Sequence, residues 1–216
     1  MIDMKTQNAL SSIGVNYQLK SENSHISPEE VLINLCTDQD TLLDKKNLIL
    51  LITWLLTYSK LVHVERLKAM LEASQISALS LAIMGGILST IVKGDHRFKV
   101  ILKQIHTKLG NNSESLYKDD TFLLKKSGED PHFSQFKVSI AKLELDTPRK
   151  LKPISEMINT NVWIKNRILF GVNLRADIAT IRELSLSETA YGASKIIHCS
   201  PNAAKKNWDD LGLVGF

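Results

Sequence analysis

The sequence predicts a mainly α protein in three successive parts: a helical bundle at 1–110, an irregular basic linker segment at 111–153 and a C-terminal unit of short helices at 154–216. Three observations carry this reading. Apolar residues recur at helical spacing, as with Phe98, Leu102, Ile105 and Leu109, which share one face of a 3.6-residue period. Helix-start signals precede the apolar runs, as in Ser27-Pro28-Glu29-Glu30. After Gly110 the composition shifts to Asn, Ser, Asp, Lys and Pro, which marks a boundary. With 216 residues and 44% apolar content, the chain can build one large or two small domains around a real core.

Residues 1–24 are polar and mixed. Met4 to Leu19 fits either a short helix or a loose arm, interrupted at Gly14-Val15-Asn16-Tyr17. Ser27 then caps a helix, with Pro28 in its first turn and a Glu three residues on that reaches back. Asp44 caps a helix from Lys45 to about Tyr58. The centre of that helix, Leu48 to Leu56, is apolar on every side and belongs inside a bundle. Val64 to Leu71 gives a third helix, and Gln75 to Ile91 a fourth, bent or closely packed at Gly85-Gly86. Asp95 to Leu109 gives a fifth, ended by Gly110-Asn111. Phe122-Leu123-Leu124 and Phe136 to Ile140 fit either short strands or helical turns. From Ile154 the helical pattern resumes.

Ala73 to Val92 carries no charge over about twenty residues, the length a membrane span needs. Its Ser, Gly, Thr and Gln residues suit a buried central helix better, so no membrane partner is expected. No basic-then-apolar leader pattern opens the chain. Cys36 and Cys199 lack partner spacing and read as reduced thiols of a cytoplasmic protein. A net charge of +4 and a pI near 9.0 permit nucleic-acid binding without demanding it.

The six histidines form no HxxxH or HExxH pair, so no metal is expected. Asp95-His96-Arg97 resembles a catalytic cluster, yet it sits at a helix start, where an Asp caps. No GxxxxGK[ST], GxGxxG or GxSxG is present, and Gly85-Gly86 lies inside an apolar run. The chain is therefore not read as an enzyme; no catalytic residue and no cofactor is assigned.

Trp163 to Leu211 reads as three short helices in a row. The last starts at Ser200, a cap, and Pro201, suited to the first helical position. Ala204, Trp208 and Leu211 share one face, which predicts a core position for Trp208. Asn202, Ala203, Lys205, Lys206 and Asp209 share the other. Amides read base edges and lysines meet phosphates, so Ser200, Asn202, Ala203, Lys205 and Lys206 are candidate DNA contacts. Asp209 and Asp210 oppose phosphate at the far end of this helix. Arg149, Lys150 and Lys152 form either a phosphate-contacting rim or a solvated linker.

The stretch from about Asp146 to Phe216 resembles the C-terminal part of bacterial winged helix-turn-helix transcriptional regulators. That family includes type IV (abortive-infection) antitoxin-like proteins encoded beside nucleotidyltransferase toxins. The resemblance rests on Arg167, Gly171, Arg175-Ala176, the turn at Ser200, Leu211 and Gly212-Leu213-Val214. It implies a winged-helix-like domain at 154–216 in a sequence-specific DNA-binding regulator, an antitoxin-like autorepressor. The implied partners are double-stranded DNA, a second copy of the chain in a homodimer and a toxin encoded nearby. Arg167 and Arg175 match the family pattern and are either DNA contacts or members of a structural ion pair. The chain departs from the pattern at His198, where Gly is usual, at Ala193-Ser194, where Leu-Ala is usual, and in the short spacing from Leu211 to Gly212. The sequence also ends at Phe216, where a β-hairpin wing follows in the family. These departures keep a second reading open: a protein-interaction module, such as a toxin-binding antitoxin, whose helix-turn-helix no longer binds DNA.

Overall fold

The structure, a computed structural model, describes residues 4–17, 25–38, 44–110, 114–145 and 150–215. In chain order its helices are α1 (Met4–Ser12), α2 (Pro28–Thr37), α3 (Lys45–Tyr58), α4 (Val64–Ala73), α5 (Ala78–Ile91), α6 (Lys99–Leu109), α7 (Thr121–Ser127) and α8 (Pro131–Ser134). They continue with α9 (Ile154–Thr160), α10 (Val162–Phe170), α11 (Leu174–Glu183), α12 (Ala190–Ile196) and α13 (Pro201–Leu213). Two short strands, β1 (Tyr117–Lys118) and β2 (Val138–Ser139), pair in parallel, Tyr117 opposite Val138. At 68% helix against 4% strand, the protein is mainly α, as the sequence predicts.

Two compact units share the chain, and neither is one continuous stretch. Unit one comprises Met1–Val31, Lys60–Gln75 and Leu151–Phe216; unit two comprises Leu32–Ser59 and Ile76–Lys150. This differs from three successive parts. A linear reading sees composition, whereas pairing between residues more than a hundred positions apart assembles unit one. In it, Asn161 Nδ2 donates to Ser12 O and Ile26 O, each at 3.0 Å, and Trp163 Nε1 donates to His25 O at 2.9 Å. Val15 bridges Leu151, and Lys152 N donates to Gly14 O at 2.7 Å.

Unit two is organised around α5. Ser77 caps it by accepting from Ser80 N, which starts the helix three residues later than the periodicity suggests. With 14 residues, α5 falls short of the roughly twenty a span requires, and no single helix among the described residues is long and apolar enough to cross a membrane. Gly85 and Gly86 are sites of close packing. A β-carbon at Gly85 would lie 2.4 Å from the Phe136 ring, and one at Gly86 would lie 2.4 Å from the Phe133 ring. The supposed linker is thus part of a core: Phe133, Phe136, Val138 and Ile140 are buried. Its acids hold it in place. Asp120 accepts from Phe122 N, so Phe122–Leu124 lies in helix α7 and not in a strand. Asp119 pairs with Lys45 and accepts from Ala141 N at 2.7 Å.

Several helix starts match their sequence signals. The Ser27 capping box forms, with Ser27 N donating to Glu30 Oε2 at 2.9 Å and Glu30 N to Ser27 Oγ at 3.3 Å. Asp44 accepts from Lys46 N to open α3. Asp95 accepts from Arg97 N at 3.2 Å, pairs with Arg97 Nη2 at 2.7 Å and takes the Ser59 hydroxyl at 3.0 Å, so the Asp95-His96-Arg97 cluster is a cap and ion pair. The buried face of α6 is Ile101 and Ile105, continued by Phe98 just before it, with Leu102 and Leu109 only half-buried. A 3-10 turn at His96–Phe98 precedes α6 and shifts its register.

Candidate nucleic-acid interface

The last third of the chain, from Trp163, holds four helices where three are expected, because four caps punctuate it. Asn161 accepts from Ile164 N, Asn173 from Ala176 N, Thr189 from Gly192 N and Ser200 from Ala203 N. Gly171 ends α10 at φ +80°, a left-handed conformation that costs glycine little. Buried Trp163, Ile178, Ile181, Ala193, Ala204 and Leu211 then draw α10 to α13 into one core.

The α12 and α13 helices are joined through Ile197–Ser200. His198 sits in this turn at φ +55°, the left-handed region that glycine occupies at little cost. Burial, followed by the nearby Arg66 charge, holds the His198 imidazole below its ordinary pKa. On α13, Ala204 and Leu211 face inward as predicted. Trp208 is only half-buried, under the Arg182 guanidinium at 4.8 Å, which also donates to Trp208 O at 2.9 Å. It packs at the edge of the core and not within it.

Asn202, Lys205 and Lys206 are exposed on α13 and Ala203 is half-buried. Ser200 is exposed, but its hydroxyl is engaged as the cap on Ala203 N at 3.3 Å. Lys205 pairs with Asp209 at 3.2 Å, whereas Lys206 has no ion partner among the described residues. Lys150 is exposed, Lys152 is half-buried with its backbone tied to Gly14, and Arg149 lies outside the described residues. Arg175 is half-buried, 5.9 Å from the Phe170 ring, with its Nε buried and unpartnered. Sequence reasoning passed over two exposed residues of α12, Tyr191 and Lys195. They stand one helical turn apart, with the ammonium 5.0 Å from the ring centre. Their i,i+4 spacing was the available signal.

Arg167 must be removed from the set of DNA contacts. Its side chain is 0% exposed, so no phosphate reaches it. It is the centre of a buried charge network. Arg167 Nη1 donates to Glu29 Oε1 at 2.9 Å and to Leu61 O at 2.7 Å; Nη2 donates to Glu29 Oε2 at 2.8 Å and to Asp177 Oδ1 at 3.0 Å. Arg66 adds contacts to Glu29 and Glu30 and lies 4.0 Å over the Trp163 ring. His63 N donates to Glu29 Oε1 at 2.7 Å, and its Nδ1 meets Asp177 Oδ2 at 2.5 Å. The spacing from Arg167 to Asp177 is visible in the sequence; the pairing of Arg167 with Glu29, 138 residues away, is not.

This network has a pH signature. Burial alone would raise the Asp177 carboxyl. The Arg167 charge, the His63 hydrogen bond and Arg66 outweigh it and hold the group at about 2. An unfolded aspartate titrates near ~3.9. Because the folded value is the lower one, the unfolded chain binds more protons between them. The stabilisation is therefore complete above that unfolded value and is lost as pH falls toward about 2. Asp177 should contribute on the order of 2 kcal/mol to this loss. Urea midpoints measured downward from neutral pH should fall steeply in that acid window. A ¹³C carboxyl titration that places Asp177 at the ordinary aspartate value would contradict the pairing.

Among the described residues, no group of three or more His, Cys, Asp or Glu side chains is placed to hold a metal ion. Both cysteines are free thiols, and burial pushes each thiol above its ordinary pKa, Asp177 adding to the shift at Cys199. Comparison with known proteins finds no matching family model, no matching curated protein and no matching solved structure.

Proposed function

We propose that this protein is a sequence-specific DNA-binding transcriptional regulator of bacterial, cytoplasmic type, an antitoxin-like autorepressor acting through α13. One observation carries the reading. A helix with its own cap is held by Ala204 and Leu211 against a firm core while Asn202, Lys205 and Lys206 remain exposed on its outer face. In this reading α12, the turn and α13 form the helix-turn-helix of a winged-helix-like domain. The first half of α13 enters the major groove, where Asn202 is suited to the paired donor and acceptor of an adenine edge. Lys206 meets phosphate, and Lys205 does so by leaving Asp209, an exchange that is cheap between exposed charges. Tyr191 and Lys195 contact the backbone from α12, as the first helix of such a pair crosses it. A single short helix makes few base contacts, so the active species is a homodimer reading two half-sites.

A specific observation favours the alternative of a protein-interaction module. Leu213 and Val214, at the C-terminal end of α13, are 86% and 65% exposed, and Asp209 and Asp210 are exposed in the preceding turn. Such a surface suits an apolar, basic protein partner, a toxin encoded nearby being the first to test.

Fluorescence anisotropy with duplex DNA at two salt concentrations separates the readings. DNA binding should weaken steeply with salt, and Lys206→Ala should flatten the slope of log K against log salt by about one. Asn202→Ala should reduce preference for the operator over random duplex by roughly 1–3 kcal/mol while stability stays within about 0.5 kcal/mol. Binding that ignores salt, or an Asn202→Ala variant that selects its operator at full strength, would leave the interaction module as the better reading.

A further inference from the structure

Unit two contains an open cavity of about 200 Å³. A cavity of roughly 150 Å³ lined by aliphatic side chains accommodates benzene, so this one has room for a single ring and a small substituent. Ile52, Pro131, Leu143 and Leu145 make its walls apolar. Its polar side consists of Thr90, Asp130, His132 and Lys142.

Donors and acceptors on that side can be counted. The Asp130 carboxylate is already engaged: Oδ1 accepts from His132 N at 2.9 Å and Oδ2 from Leu143 N at 3.3 Å. The Thr90 hydroxyl donates to Gly86 O at 3.0 Å. His132 Nδ1 lies 2.9 Å from Ser89 Oγ. Gln135 Nε2 donates to that same oxygen and also to His132 O at 3.1 Å, which sets the orientation of the amide. Ser89 Oγ thus engages both Gln135 and His132 Nδ1, which leaves the other ring nitrogen, Nε2, as the one open to a ligand. Among the described residues neither His132 Nε2 nor Lys142 Nζ has a side-chain or backbone partner. The cavity thus offers an apolar body one cation, Lys142, and one ring nitrogen, His132 Nε2, while Asp130, the carboxylate among its described lining residues, is occupied.

We infer that this cavity binds a small organic acid with a benzene-sized apolar body, its carboxylate held by Lys142 and His132 and its ring by Ile52, Leu143 and Leu145. The inference does not depend on the DNA-binding reading. Benzoate is the probe, titrated into the full chain while methyl NMR signals of Ile52, Leu143 and Leu145 are followed. A ligand of this size and charge should saturate these shifts in the millimolar range. Benzamide, with the same ring but no charge, should bind about tenfold more weakly, and Lys142→Gln should weaken benzoate by about the same factor. Leu145 is 42% exposed, so Leu145→Trp can occupy the cavity mouth without disturbing the core; it should abolish the shifts and leave the other methyl signals in place. Three results would overturn the proposal: no saturable shift at these methyls, equal binding of benzoate and benzamide, or benzoate binding that survives Leu145→Trp.

Discussion

Arg167→Ala should destabilise the protein by about 3–5 kcal/mol, the usual consequence of removing one partner from a buried ion pair. The change empties a fully buried position and leaves Glu29 and Asp177, at 0% and 1% side-chain exposure, without their shared cation. It also strips Leu61 O of its 2.7 Å donor. Charge alone does not explain the expected loss, because burying three charges is itself costly. A triple variant, Arg167→Met with Glu29→Gln and Asp177→Asn, should recover part of the stability, since removing the three charges together is milder than stranding two of them, and Arg66 keeps Glu30 as its ion partner. Urea unfolding followed by circular dichroism measures both. If Arg167→Ala melts like the parent, the buried network does not stabilise the fold. If Arg167→Ala remains folded and loses only DNA affinity, the arginine acts on DNA after all.

Phe133→Ala should cost about 3–5 kcal/mol, the usual loss on emptying a large buried aromatic site. Phe133 is 0% exposed and its ring lies directly over Gly86. Gly86→Ala alone should cost about 1–3 kcal/mol by overpacking, since its β-carbon would stand 2.4 Å from that ring. The two changes should not add. With the ring gone, the new methyl occupies vacated space, so the double variant should be more stable than the sum of the single losses implies. Strict additivity in thermal or urea unfolding would show that Gly86 and Phe133 are not in contact and that the glycine pair serves another purpose.

Both predictions concern residues whose importance the sequence shows only in part. Gly85-Gly86 is conspicuous inside an apolar helix, and close packing is one of its two natural readings. Which rings approach it depends on Phe133 and Phe136, in a stretch whose Asn, Asp, Lys and Pro content reads as a linker. Composition averages over that stretch, whereas its few aromatic residues determine where it packs. Arg167 is similarly divided between two readings. Its place in the Arg–Gly–Arg-Ala pattern is legible, but the same spacing suits a surface arginine and a buried one. Glu29 decides the matter, and it lies in the helix-start signal Ser27-Pro28-Glu29-Glu30, far from Arg167 in the chain.

What the sequence by itself determined is local: the mainly helical class, the caps at Ser27, Asp44, Asp95 and Ser200, the buried character of α5 and the inward and outward faces of α13. Each depends on residues within one or two turns, where spacing and capping chemistry are sufficient. The tertiary structure decided the rest: that 1–31 and 60–75 join 151–216 in one unit, that Arg167 is buried while Lys206 stays exposed, and that Trp208 sits at a core edge beneath Arg182. Buried charges must find partners wherever the fold brings them, and ring packing depends on shape as much as on hydrophobicity. Neither requirement has a period or a spacing that can be read along the chain.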